Sequence, residues 1–167
     1  MAPSVIPKPD FLDETEWNNL IATRDAKVIA SVAKLHVQQY IEAKGEGDTY
    51  LTQGAPTCLV TSIGRKTGNE IVSPANFLQE GNDVYVVGSI AGLEKHPHWA
   101  LNLAAKPTAW VQIKANRYAA HAHRLSSEER EEIWPRLTDF FPLWGHFQKY
   151  SEREFMVFRL SPLEAGA

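Results

Sequence analysis

The chain has 167 residues, a formal net charge of −3 and one cysteine. That length fits one domain burying about 70% of the surface its unfolded form exposes, so no metal staple is needed, and a lone cysteine rules out an internal disulfide framework. At 44% hydrophobic and 22% charged residues the composition is globular; it lacks a membrane-span run, a secretory leader and a basic excess, which predicts a cytoplasmic protein with no integral membrane segment and no nucleic-acid partner.

Pro3, Pro7 and Pro9 make the start read as an extended arm. Asp13 to about Ala43 is helical in pattern, with Asp13 and Thr15 as candidate N-caps and a break near Thr23–Asp25. Val28, Ile29, Val32, Leu35, Tyr40 and Ile41 recur at spacings of three and four, and Gly45 and Gly47 end the helix. Thr57–Ile63 reads as a buried strand, Gly64–Gly68 as a turn, and about Glu70–Gln79 as a second strand. Glu80–Asp83 turns into a third strand ending at Ser89, and Pro97 opens a helix running to about Ala105. Thr108–Lys114 and a stretch to about Leu125 are the fourth and fifth strands. Ser126-Ser-Glu-Glu129 is a capping box for a helix ending before Pro142, Leu143–Tyr150 is amphipathic but ambiguous, and Glu154–Leu160 is the last strand. Strands joined by tight turns imply antiparallel pairing. Six in one small domain suggest an α+β fold, a barrel-like sheet with helices outside. We divide the chain into an N-terminal arm and helices (1–45) packed on a barrel unit (46–167).

Two loops suit an anion. In Gly64-Arg65-Lys66-Thr67-Gly68 the glycines permit converging N–H groups, and Arg65, Lys66 and Thr67 add charge and a hydroxyl. Gly88-Ser89-Ile-Ala91-Gly92 feeds a helix N-terminus at Pro97, with Ser89 and Lys95 at hand. A plain turn and a plain strand-to-helix connection are the competing readings. His96/His98 and His121/His123 lack an acidic partner at ligand spacing, so no metal is expected. Cys58 lies in an apolar strand and reads as an inert thiol. Four of the five tryptophans fall between Trp99 and Trp144. Phe141, Trp144 and Phe147 share a face in a helical turn, either as core or as a lid whose rings suit a flat conjugated ligand, with Pro142 and Gly145 interrupting regular structure. Trp110 and Trp134 read as core.

These motifs in this order resemble the deazaflavin-dependent nitroreductase family of split-barrel oxidoreductases. The anchors are Thr61–Gly68, Gly88-Ser89, Glu94-Lys-His-Pro-His-Trp99, Asn102-Leu103 with Lys106-Pro107, Glu129-Arg130 with Trp134-Pro135, and Arg153. The resemblance implies a six-stranded split β-barrel related to FMN-binding proteins, with a groove for a 5-deazaflavin coenzyme (coenzyme F420). Carried over residue by residue, Arg65, Lys66, Thr67 and Gly68 touch the coenzyme's tail. Pro74, Ser89, Ala91, Gly92, Pro97, Trp99 and Asn102 line the groove. Where the family commonly has cations, this sequence has Ile71 and Ile90, a loss that Lys95 offsets in part. Where the best-known member has tyrosines orienting nitro substrates, it has Phe141, Trp144, Phe147 and, in the groove, Asn76.

The resemblance thus implies hydride transfer from the reduced coenzyme to an apolar conjugated acceptor, an enone or a quinone, more than to a nitro compound. Asn76, Ser89 or backbone N–H groups would polarise the acceptor carbonyl, with solvent as proton source and no catalytic acid assigned. The alternatives are an FMN-using barrel, a cofactor-independent isomerase or cyclase, and a non-catalytic carrier of apolar ligands. The N-terminal segment either caps the groove or pairs subunits into a homodimer.

Overall fold

The computed structural model describes residues 6–163; Pro3 lies outside them. Among these residues five α-helices surround a sheet in the order β1-β2-β3-β4-β7-β6-β5, and β5 also pairs with β2. Strands β2 to β7 therefore close into an antiparallel six-stranded barrel, and closure removes the free edges of an open sheet. The strands are β2 (Ala55–Ile63), β3 (Glu70–Glu80), β4 (Asp83–Val87), β5 (Thr108–Ile113), β6 (Asn116–Arg124) and β7 (Val157–Pro162), with a two-residue β1 (Leu51–Thr52) hairpinned onto β2. The expected α+β split-barrel architecture is the one found.

The period-two alternation of strands divides the apolar residues between two cores. Val84 and Val86 of β4 and Phe158 and Leu160 of β7 point into the barrel with Val60, Val111, Ala120 and Ala122. Tyr85, Val87 and Val157 point outward into a second cluster, where the helices cover them. β4 is thus apolar on both faces, which is why its sequence reads as a run rather than an alternation. Helix α3 (His98–Ala105) adds Trp99, Ala100 and Leu103 to the barrel core.

The N-terminal segment forms two helices, α1 (Glu14–Ala22) and α2 (Ala26–Ala43). Each opens on an aspartate: Asp13 makes a capping box with Glu16, and Asp25 accepts from the N–H groups of Lys27 and Val28. Helix α2 ends where Lys44 and Gly45 adopt left-handed conformations. Gly45 is required there, because a Cβ would lie 2.7 Å from both the Lys114 backbone and the Tyr40 ring. Tyr40 is fully buried, donating its hydroxyl proton to Thr57 O (2.9 Å) and accepting from Lys114 N–H (2.8 Å). The apolar stripe of α2 is only half used: Val28, Val32, Leu35 and Ile41 are 39–56% exposed. The inward face is the neighbouring one, carrying Ile29, Ala33, His36, Val37 and Tyr40.

Helices α4 (Ser127–Phe140) and α5 (Pro142–Lys149) cover the second core. Residues 142–149 are helical although Pro142 and Gly145 were expected to interrupt them. Pro142 sits in the first turn, where no N–H is needed, and Gly145 lets α5 approach α4, since a Cβ there would lie 3.0 Å from Thr138 Cγ2. The last strand begins at Val157 rather than Glu154. Trp110 and Trp134 are half-buried, each beneath an arginine (Arg117 and Arg130) rather than in the core. No helix among the described residues is long and apolar enough to cross a membrane.

Phe158→Ala should destabilise the protein by about 3–5 kcal/mol, as expected for a deleted core aromatic, and Val32→Ala by under about 0.5 kcal/mol; urea unfolding measures both. The capping box of α4 carries a pH signature. Glu129 accepts from Ser126 N–H and faces His123, and these hydrogen bonds hold its carboxyl at about 2 against an ordinary 4.5. A depressed carboxylate stabilises above its unfolded pKa and loses that contribution as pH falls toward its folded one. Between pH 4.5 and 2, wild-type urea midpoints should therefore fall more steeply than those of Glu129→Gln.

Candidate functional site

The Gly64–Gly68 turn joins β2 to β3 and projects Arg65, Lys66 and Thr67 into solvent. It is closed by Gly64 N–H to Asn69 O and Gly68 N–H to Gly64 O, both 2.8 Å. Gly68 has φ +77°, and a Cβ on Gly64 would lie 2.8 Å from Thr67 Oγ1; neither position takes a side chain without strain. Ile71 packs at this turn, its Cδ1 3.2 Å from the same Cβ position. An apolar group thus stands beside the exposed cations.

Asn102 fixes the turn from below. It is 1% exposed. Its Oδ1 accepts from Arg65 N–H (3.2 Å) and from the Arg65 guanidinium (2.8 Å), while its Nδ2 donates to Ser62 Oγ (3.2 Å). Because Asn102 stands on α3, these bonds bring the two candidate anion loops, separate in sequence, onto one rim. Arg65 also donates toward His98 Nδ1 at 3.3 Å, at the start of α3. That helix begins after Pro97 with no side-chain cap, leaving its first N–H groups and the positive end of its dipole on the same rim. Lys95 is exposed nearby in sequence, and Pro97 is buried.

The loop between β4 and α3 has an unusual backbone. Ile90, Ala91 and Gly92 have φ of 41°, 51° and 68°, left-handed values that are costly for a β-branched residue. Two arginines hold it. Arg153 donates to the carbonyls of Gly88 (2.8 Å), Ser89 and Leu93 (2.8 Å), and Arg24 donates to those of Ala91 (2.8 Å) and Gly92 (2.9 Å). Burial pushes the Arg153 guanidinium down to about 10, still charged at neutral pH. His96 Nδ1 accepts from Arg153 at 3.3 Å. Burial first, then the charges of Arg153 and Arg124, lower the imidazole's pKa, which keeps this ring neutral. The His96/His98 pair is therefore divided between two arginines.

The remaining expected site residues lie at several depths. Pro74 and Asn76 share the outward face of β3, with Ala75 turned into the core. The Asn76 amide donates to the carbonyls of Thr52 (3.1 Å), Ala55 (3.3 Å) and Pro56 (3.4 Å); its two protons are committed to the β1–β2 hairpin, so Asn76 has no donor left for an acceptor carbonyl. Trp99 is 9% exposed in the barrel core, its ring 6.2 Å from that of Phe158. Phe141, Trp144 and Phe147 are 3–8% exposed and belong to the second core. Phe147 meets the loop, packing 3.2 Å from the Cβ position of Gly92. Sequence reasoning missed Arg24 and the loop-holding work of Arg153. Arg24 gave no local signal, since its partners lie 67 and 68 residues away.

The exposed cations, the open helix end and the donor-rich turn suit a polyanionic tail, and the shaped loop beside them suits a flat head group. A profile of the F420H(2)-dependent quinone reductases matches residues 32–162. A Mycobacterium tuberculosis protein that carries the name of an F420H(2)-dependent quinone reductase, Rv3178, is 35% identical over 107 residues, 64% of this chain and 90% of that protein. A solved F420-H2 dependent reductase (FDR-A) superposes with a TM-score of 0.58 at 31% identity, over 64% of this chain and 94% of that one. A structure described as a domain-swapped dimer superposes with a TM-score of 0.60 at 25% identity, over 89% of this chain and all of that one.

Asn102→Ala strips the partner from buried Ser62 and from the Arg65 backbone. It should cost about 1–3 kcal/mol in urea unfolding, the penalty for orphaned polar groups; a change below about 0.5 kcal/mol, the scale of a neutral surface substitution, would show that the turn does not depend on it.

Proposed function

Because the chain belongs to the F420H(2)-dependent quinone reductase family and is thus a deazaflavin-dependent oxidoreductase, we propose that its acceptor is a quinone, with a conjugated enone next and a nitro compound last. The observation that carries the coenzyme site is the pinned turn, where Asn102 ties Arg65 and its neighbour Lys66 to the open end of α3. When bound, the coenzyme supplies the hydride.

The residues divide by what they touch. Arg65, Lys66, Thr67, Gly68 and Lys95 hold the anionic tail by charge and N–H donation. Pro74, Ser89, Ala91, Gly92 and Pro97 shape the place of the ring and linker. Asn102 acts through Arg65, and Trp99 acts through the barrel core beneath. Ser89 and backbone N–H groups are the donors left to polarise an acceptor carbonyl, since the Asn76 amide is engaged elsewhere. Phe141, Trp144 and Phe147 hold no acid group, so the proton completing the reduction comes from solvent. Their apolar rings stand in the second core behind the loop, where Phe147 packs against Gly92, and favour a flat acceptor without polar substituents.

A second reading rests on Ile71, which puts an apolar group at the turn: FMN, with a shorter anionic tail, would need fewer cations. We also propose a homodimer, supported by the related domain-swapped dimer and by the uncovered stripe Val28, Val32 and Leu35 of α2; sedimentation at micromolar concentration reads it directly.

Two experiments test this account. Under anaerobic conditions, reduced coenzyme with catalytic protein should be oxidised by a soluble quinone faster than by an enone or a nitroimidazole. Oxidation by the nitroimidazole alone would overturn the acceptor assignment. Lys66→Ala should weaken coenzyme binding by about tenfold or more, the value of one charge-assisted phosphate contact, with unchanged circular dichroism; equal affinity would remove Lys66 from the tail site.

A further inference from the structure

We infer that Arg24, in the α1–α2 junction outside the segment that matches the family, is a positioning residue of the coenzyme site, its guanidinium fork holding the 90–92 backbone in the shape the ring requires. The inference rests on the coenzyme reading above and extends the site to the N-terminal segment.

The junction is built to aim this side chain. Thr23 closes α1, its N–H bonded to Leu20 O (3.3 Å), and Asp25 opens α2 by capping Lys27 and Val28. Arg24 therefore sits between two fixed helix ends. Its Nε and Nη2 reach adjacent carbonyls, Ala91 O at 2.8 Å and Gly92 O at 2.9 Å, a two-pronged grip that the planar guanidinium offers and an ammonium does not. The residues gripped are those whose backbone is left-handed, with φ of 51° and 68°, next to Ile90 at 41°. An L side chain keeps such a conformation only where surrounding contacts enforce it.

The loop is held from its other sides as well. Arg153 takes Gly88, Ser89 and Leu93, so the two guanidinium groups engage five carbonyls between residues 88 and 93. Phe147 lies against Gly92, and Trp17 of α1 stacks on Phe147 with centroids 6.0 Å apart. The N-terminal segment thus touches the loop directly through Arg24 and indirectly through Trp17. Peptide units are planar and trans, so each N–H points opposite its carbonyl. With Ser89 O drawn toward Arg153, the Ile90 N–H is turned to the opposite side. Arg24 and Arg153 together fix which way the loop's dipoles face.

The test compares full-length wild type, Arg24→Ala, Arg24→Lys and Lys34→Ala, the last removing an exposed charge on α2 that does not touch the loop. Hydrogen exchange across residues 88–95 is measured without coenzyme, and coenzyme affinity by fluorescence titration. Arg24→Ala should speed exchange across 88–95 by about tenfold and weaken coenzyme binding by about ten- to a hundredfold, the range for two charge-assisted bonds. Arg24→Lys, able to make one bond of the two, should fall between and serves if the alanine variant does not fold. Lys34→Ala should match wild type in both. Unchanged exchange and affinity in Arg24→Ala, or equal losses in Lys34→Ala, would overturn the inference. Failure of wild type itself to bind the coenzyme would instead remove the coenzyme reading, while the exchange comparison still reports whether Arg24 holds the loop.

Discussion

The half-buried guanidinium of Arg153 is the contact on which the site depends. It reaches from the segment before β7 to three carbonyls of the β4–α3 loop and lies over the Phe155 ring at 4.6 Å. A charge placed there is stabilised only if its donors are matched, and burial lowers its pKa without discharging it. The loop supplies the match with backbone carbonyls instead of a carboxylate. The contact fixes the directions of the Gly88, Ser89 and Leu93 carbonyls beside the proposed ring site. The closed barrel makes this possible, because β4 and β7 are paired neighbours and hold the two ends of the contact in register.

Around that contact the charges of the chain are segregated. The net charge is −3, yet eight of the 20 acids cluster at the starts of α1 and α4, where they meet helix dipoles and make capping boxes. The cations Arg65 and Lys66 occupy a turn that holds no acidic residue, and the nearest acid after it, Glu70, pairs with Arg117. Over a Debye length of about 8 Å at physiological ionic strength, a local group of cations governs what an anion meets, and the overall charge does not. An acidic protein can therefore carry a site for a polyanionic coenzyme. Ile71 at the same turn marks where that site has fewer charges than the family resemblance leads one to expect.

Elements whose formation is decided locally were legible in the sequence. The Asp13 and Ser126 caps, the Glu80–Asp83 turn, the Ala109/Val111 alternation and the break at Thr23–Asp25 all depend on neighbouring residues, and each is where the sequence pattern places it. The barrel-like sheet followed from the number of strands and their tight turns, and the split-barrel form from the family resemblance, not from any single strand. What escaped the sequence was set by contacts at long range. Gly145 signals a helix break in isolation but serves close packing of α5 on α4. The apolar residues of α2 outnumber those the barrel can cover. Asn76 carries a free amide on paper, but the β1–β2 hairpin consumes it. The resemblance puts Asn102 in the groove, and only the folded chain shows that it also holds Arg65 from beneath.

The cationic turn, the open end of α3 and the arginine-held loop together form the proposed site for the deazaflavin coenzyme. Its most direct test is equilibrium titration of the pure protein with that coenzyme and, separately, with FMN, following ring fluorescence at low ionic strength. Binding of the deazaflavin should saturate in the micromolar range or tighter, exceed that of FMN and weaken with added salt as tail contacts are screened. No saturable deazaflavin binding, or tighter binding of FMN, would contradict the proposed site.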